Sequence, residues 1–217
     1  MQLIENRITN KLHQEDNLLG GRKMNEKTSK MVKISLLAAI ALILRYIEIP
    51  IIPPFPWLQF DLSDVPAMLG VFGFGPMAGI IIELLKNVVI LAIKGTSTGF
   101  VGEVANFLFG VALILPAGLV YHKKKSKKNA ILGMILGAVV MQIVGIIGNV
   151  YLLLPAYGMH VDNAYLMWYI TAGLLPINAI KALITSILTY VLYKRISVSI
   201  FKAEANFGSI EDTTKTI

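Results

Sequence analysis

Between residues 32 and 193 this chain is a succession of apolar runs separated by short polar or glycine- and proline-rich breaks. About 20 apolar residues suffice for a helix to cross a bilayer. Runs of that kind fall at about 32–49, from Val65 into "GVFGFGP", and at about 76–94, 101–121, 129–154 and 171–193. Only 15% of the 217 residues are charged, where soluble domains carry about 25%. The sequence therefore predicts an all-α membrane protein with six transmembrane helices in a compact bundle. A polar extension over 1–30, a membrane domain over 31–195 and a polar tail over 196–217 complete the organisation.

The second and third helices are divided only by Gly73, Gly75 and Pro76, residues that interrupt helices. A segment holding Trp168 and Tyr169 is expected to lie at the membrane interface before the sixth helix. Basic residues near span ends set orientation. They gather in the N-terminal extension, in "KKKSKK" and in "YKR", while the opposite loops hold only Lys94. Both termini are thus expected to be cytoplasmic. The net charge of +7 follows this pattern and does not point to nucleic acid. No cysteine is present and the three histidines are scattered, so thiolate chemistry is excluded and no metal site is expected.

Ionisable groups within spanning segments are costly and usually face the bundle interior or a water-filled cavity. Here they cluster by helix face. Glu83, Lys86 and Asn87 stand at i, i+3 and i+4, Glu103 and Asn106 share a face of the fourth helix, Asn149 lies near the outer end of the fifth, and Asn178 and Lys181 share a face of the sixth. Counting at 1.5 Å per residue, Glu103, Asn106 and Asn149 fall within about two turns of the outer surface, with the others somewhat deeper. Four helices converging at one depth describe a polar pocket open to the outside. The competing roles are structural: Lys86 pairing with a glutamate, Asn149 and Asn178 bonding between helices, and Arg45 and Glu48 pairing or snorkelling at a helix end.

The loop "PIIPPFPWLQFDLSD" stands over this pocket. Its prolines stiffen it, and Phe55, Trp57 and Phe60 supply flat apolar surfaces; with Asp64 they form an expected lid. Ser63 or Asp64 is expected to cap the second helix, with Pro66 in its first turn. Asp61 is not needed as a cap, and either accepts hydrogen bonds from a ligand or pairs with a pocket lysine. On the first helix Ser35, Ala38, Ala39 and Ala41 are small residues that let another membrane helix approach closely.

The combination "FDLSDVPAMLGVFGFGPMAGIIIELLKN", "GEVANF", "NVYLLLPAYG" and "LLPINAIK" resembles the riboflavin-binding S components of energy-coupling factor (ECF) transporters, over roughly residues 31–195. The resemblance implies riboflavin as transported substrate, no cofactor, and no ATPase site of the chain's own; no G-x-x-x-x-G-K-[ST] occurs. It implies a transmembrane coupling subunit and two cytoplasmic ATPases as partners beside membrane lipid. By motif, it implies Asp61, Lys86, Asn87, Glu103, Asn106, Asn149, Asn178 and Lys181 as substrate contacts, and Ser35, Ala38, Ala39 and Ala41 as the docking surface for the coupling subunit. Where the family shows A-x-x-x-A on the first helix, this chain offers Ser35 and Ala39. An S component for another vitamin, a stand-alone ion-coupled carrier and a membrane enzyme are the competing readings. The enzyme is disfavoured because the serines lack a G-x-S-x setting, and because Asp61 to Asp64 runs into Val65 and Pro66 rather than the D-x-x-D-G-x-x-A-R run of phosphatidyl-type transferases.

Overall fold

The structure, a computed structural model, describes residues 25–199 apart from Ser97. Residues 1–24 of the expected extension and 200–217 of the expected tail lie outside the described residues. The chain divides into a short unit, Met1–Val32, and a larger one, Lys33–Ile217. Of the first only the opening turns of a helix are described.

Six helices are present among the described residues. They are α1 (Glu26–Tyr46), α2 (Asp64–Phe74), α3 (Pro76–Lys94), α4 (Val101–Lys123), α5 (Lys127–Ala156) and α6, which starts at Asn163 and ends in the regular segment Leu175–Ser199. Four of them, α3 to α6, are long and apolar enough to cross a membrane. Helix α1 is long enough but carries Lys27, Lys30, Lys33 and Arg45 within its 21 residues. Helix α2 has 11 residues, about 16 Å at 1.5 Å per residue, well short of the roughly 30 Å hydrocarbon core.

Helix α2 is the centre of the larger unit. Every residue from Asp64 to Phe72 is buried, as expected of a helix that is apolar on all sides. It packs against α3, α4 and α6. Gly75, at φ +105°, turns the chain between α2 and α3 in a conformation that favours glycine, and Pro76 opens α3, where its missing N–H costs nothing. The tightest helix pair is α4 with α5. A Cβ at Gly133 would come within 2.7 Å of the Ala117 carbonyl oxygen, and Gly137 meets the Leu113 backbone in the same way. Small residues four apart bring these two backbones together. The opposite face of α5 exposes Ile131, Ile135, Val139, Ile143 and Ile147, a branched apolar stripe suited to lipid.

Two differences from the sequence reading concern element ends. Trp168 and Tyr169 do not form a separate interfacial segment. They belong to α6, which begins where Asp162 accepts from the Tyr165 N–H at 2.7 Å and passes through a π-helical stretch, Tyr169–Leu174. A second π-helical stretch, Asn149–Leu153, interrupts α5. Neither Ser63 nor Asp64 caps α2 with its side chain, because both side chains are committed to Lys86.

Candidate functional site

The loop between α1 and α2 begins and ends in a two-residue antiparallel ladder, β1 (Ile49–Pro50) with β2 (Gln59–Phe60). Its tip is anchored by Phe55, fully buried against Trp168 with ring centroids 4.6 Å apart, Tyr169 at 5.1 Å and Trp57 at 5.8 Å. The contacts with Tyr169 and Trp57 are edge-to-face, an arrangement favourable beyond the area it buries, and that with Trp168 is tilted. Gly173 lies directly under the Phe55 ring, and a Cβ there would fall 2.8 Å from it. Of the four expected lid residues, Trp57 reaches the cavity described below, Phe55 holds the loop down, Phe60 lies on β2 away from the cavity, and Asp64 is buried in the first turn of α2.

Asp61 and Asp64 sit in a continuous line of alternating charges. Glu83 Oε2 lies 2.8 Å from Lys86 Nζ, and Lys86 Nζ lies 2.5 Å from Asp64 Oδ1. Lys181 Nζ is 3.1 Å from both Asp64 Oδ2 and Asp61 Oδ2. Asp61 is 3.6 Å from Arg45, which pairs closely with Glu48, and Glu48 is 3.0 Å from Lys94. Four acids meet four bases, so the chain of contacts is formally neutral. Such neutrality is what a buried cluster needs, since an unpaired ion away from water is expensive. The Lys86–Glu83 contact is close but poorly aligned for a hydrogen bond, and the Glu83 carboxylate has no hydrogen-bond donor among the described residues. Ser63 completes the cluster: its hydroxyl donates to Asp61 and accepts from Lys86 at 2.7 Å. Burial pushes the Asp61 carboxyl up, but the Lys181, Lys86 and Arg45 charges outweigh it and hold the group well below the usual carboxylate range.

Beside this cluster a cavity of about 370 Å³ opens. Ligand pockets run from about 300 to 1,000 Å³. Apolar and aromatic walls come from Trp57, Leu58, Ile90, Phe109, Met141, Leu153, Tyr157 and Ile177, and polar groups from Arg45, Glu48, Lys94, Glu103, Asn106, Asn149, Asn178 and Lys181. Two of the amides are incomplete: Asn106 Oδ1 and Asn178 Nδ2 are buried with no hydrogen-bonding partner among the described residues. Buried polar atoms are nearly always paired, and both of these amides belong to residues that line the cavity.

The structure therefore brings Glu103, Asn106, Asn149, Asn178 and Lys181 to one cavity wall, and leaves Asp61, Lys86 and Asn87 outside the lining. Asp61 takes the second of its two expected roles and pairs with Lys181. Lys86 turns to Asp64 and Ser63, and Asn87 donates back to the Glu83 carbonyl at 2.8 Å. Arg45 and Glu48 do pair with each other, yet they also line the cavity, which sequence reasoning did not expect. Tyr157 and Phe109 carried no sequence signal that would separate them from other apolar positions. On α1, Ser35 and Ala39 are exposed, whereas Ala38 is buried and Ala41 fully so. A shallow apolar groove of about 230 Å³ is lined by Ser35, Ala38, Ala39, Leu42, Leu85 and Val89. Ala41 does not reach it, because it points into the core cluster.

A helical bundle with membrane-capable helices and a ligand-sized cavity, walled by aromatics and amides, defines a small-molecule-binding membrane protein. The particular family follows from comparison: the model for the substrate-specific component of ECF transporters matches residues 29–193, and this chain belongs to that family. It is 41% identical over 185 residues to the riboflavin transporter RibU of Staphylococcus aureus, covering 82% of this chain and 96% of that protein. It is 36% identical to the riboflavin transporter FmnP of Bacillus subtilis, covering 77% and 91%. A solved structure, that of the S component of a bacterial ECF transporter, is similar with a TM-score of 0.68 at 41% identity, over 79% of this chain and 97% of that one.

Proposed function

We propose that this protein is the riboflavin-binding subunit of an ECF-type uptake transporter in the plasma membrane of a prokaryote. It binds the vitamin from outside and delivers it together with a separate coupling subunit and two cytoplasmic ATPases. The observation that carries the reading is the cavity itself: aromatic and apolar walls suited to a flat tricycle, beside amides and a lysine suited to ring-edge carbonyls and ribityl hydroxyls. Amide side chains both donate and accept, as such a ligand requires. Relatives bearing the name riboflavin transporter support the substrate.

In this reading Glu103, Asn106, Asn149, Asn178 and Lys181 contact the substrate, and Trp57 covers it. Asp61 and Asp64 hold Lys181 at the cavity wall, and Lys86 holds Asp64. Both termini and the lysine-rich turn before α5 face the cytoplasm, with six helices traversing or embedded in the membrane. Ser35, Ala38 and Ala39 form the docking face for the coupling subunit. Purification in detergent followed by a visible absorption spectrum tests the substrate. A flavin spectrum that returns on adding riboflavin to stripped protein is expected, and a stripped protein that gives no saturable riboflavin binding overturns the reading.

A further inference from the structure

The two π-helical stretches meet at a single hydrogen bond. Tyr169, the first residue of the stretch in α6, donates its hydroxyl to Asn149 Oδ1 at 2.9 Å, and Asn149 is the first residue of the stretch in α5. Isolated π-helical turns widen a helix locally and re-aim the side chains there. Asn149 also donates from Nδ2 to the Gly145 carbonyl at 2.8 Å. The Tyr169 hydroxyl accepts in turn from the Trp57 indole N–H at 3.3 Å. One chain of hydrogen bonds thus joins the loop over the cavity to α6 and α5.

These bonds set the orientation of the Asn149 amide. The group has two N–H donors and two acceptor lone pairs on oxygen. Its protein partners use one of each and fix which end points where. Rotating the amide by half a turn would set its oxygen against the Gly145 carbonyl and its NH₂ against the tyrosine. That would replace the Gly145 bond by a repulsion between two acceptors, and would leave the Tyr169 hydroxyl, which already accepts from Trp57, accepting a second time with its own proton unused. The remaining N–H and the remaining lone pair are therefore held in set directions, and Asn149 lines the cavity. Tyr169 does not line it; its side chain is fully buried. The ring packs in the aromatic cluster around Phe55, a role a phenylalanine would fill equally well. The hydroxyl has a separate use.

We infer that Tyr169 is a positioning residue for substrate binding: through its hydroxyl it fixes the direction in which Asn149 presents its amide to the cavity. The inference rests on the reading of the cavity as a riboflavin site. No bond is made or broken in this role. Its signature is that the hydroxyl matters only while the Asn149 amide is there to be directed.

The test is a double-mutant cycle on the full chain in detergent, with riboflavin as probe and quenching of flavin fluorescence as readout. Tyr169→Phe keeps the ring and removes the hydroxyl. It is expected to weaken riboflavin binding by about 2- to 10-fold, the range of one net hydrogen bond. In an Asn149→Ala background the same change is expected to alter affinity by less than about 2-fold, since coupling between the two residues is what the cycle isolates. An affinity for Tyr169→Phe equal to that of the unaltered chain overturns the inference. So does an equal loss in both backgrounds, which would make the hydroxyl merely structural, and so does a Tyr169→Phe protein that no longer elutes as a single species. Absence of riboflavin binding by the unaltered chain would instead overturn the substrate reading, and the inference with it.

Discussion

Lys86 Nζ lies 2.5 Å from Asp64 Oδ1, and neither side chain is more than 1% exposed. Lys86 comes from the middle of α3 and Asp64 from the first turn of α2, so this ion pair ties the central helix to a neighbour in a place water does not reach. Removing one partner of such a pair leaves a charge without compensation, at a cost of about 3–5 kcal/mol. Lys86→Ala is therefore expected to lower the thermal midpoint in detergent sharply, and Asp64→Leu to do the same. The double change Lys86→Met with Asp64→Leu should recover part of the loss, because no lone ion remains between those two positions. A single variant with an unchanged midpoint would show that the pair does not hold these helices.

The amides at the cavity act differently. Asn178 carries a buried Nδ2 with no partner among the described residues, so Asn178→Ala removes a donor that the fold does not use. Riboflavin binding is expected to weaken by about 0.5–1.5 kcal/mol with little change in thermal midpoint. Lys181 is committed to Asp61 and Asp64 as well as to the cavity, so Lys181→Ala should lower both affinity and midpoint. Titration and a melting curve on the same samples separate the two patterns.

Asp61 gives a pH signature. Its folded-state carboxyl is held below the ordinary value of 3.8, so its contribution to stability is present above that value and is lost as pH falls through the lowered one. The gap in stability between the parent and Asp61→Asn is expected to stay constant from about pH 8 to 5 and to narrow only below about 4. Equilibrium unfolding at a series of pH values reads this out. A gap that closes already near neutral pH would mean that the carboxyl is not held by the lysines.

The long helices were legible because lipid demands length and apolar character together, and α3, α4 and α5 lie where the apolar runs do. The polar side of the cavity was legible for the same reason: Asn106, Asn149, Asn178 and Lys181 are polar residues in segments that are otherwise mostly apolar. What the sequence did not carry was the choice of neighbour. Lys86 and Asn87 share a face with Glu83, but the face alone does not say whether it meets a cavity or the buried start of α2. Asp64 and Ser63 fit the pattern of a helix cap, and the tertiary claim of Lys86 on both side chains overrode it. Tyr169 was placed at the membrane interface, and its bond to Asn149 was not legible, since it depends on π-helical turns that no residue pattern announces.

Orientation is tested by labelling, and the lack of cysteines gives a clean background. Lys125 is exposed in the turn between α4 and α5, and His160 is exposed between α5 and α6. Both are better sites than their neighbours. Ser126 caps α5 by accepting from Asn129, and Gly158 has φ +67°, which a cysteine would strain. In intact cells His160→Cys is expected to react with an impermeant thiol reagent, and Lys125→Cys only after permeabilisation. The reverse pattern would put the cavity on the cytoplasmic side.

The docking face separates binding from transport. Ser35 and Ala39 are exposed on α1, and with Ala38 they floor an apolar groove walled by Leu85 and Val89 of α3. Close approach of a partner helix needs small residues at such a place. The cavity lining draws on α1 only at its far end, through Arg45, about 9 Å along the axis from Ala39 at 1.5 Å per residue. Ala39→Trp places its bulk outward, into the groove, and not into the core where overpacking would distort the bundle. It is expected to leave riboflavin affinity within about 2-fold of the parent, less than one net hydrogen bond, while abolishing co-purification with the coupling subunit and ATP-driven uptake in reconstituted vesicles. Ala41→Trp is the contrasting control: that position is fully buried, so it should lower the thermal midpoint instead. An Ala39→Trp protein that binds riboflavin, recruits its partner and still transports would place the docking surface elsewhere.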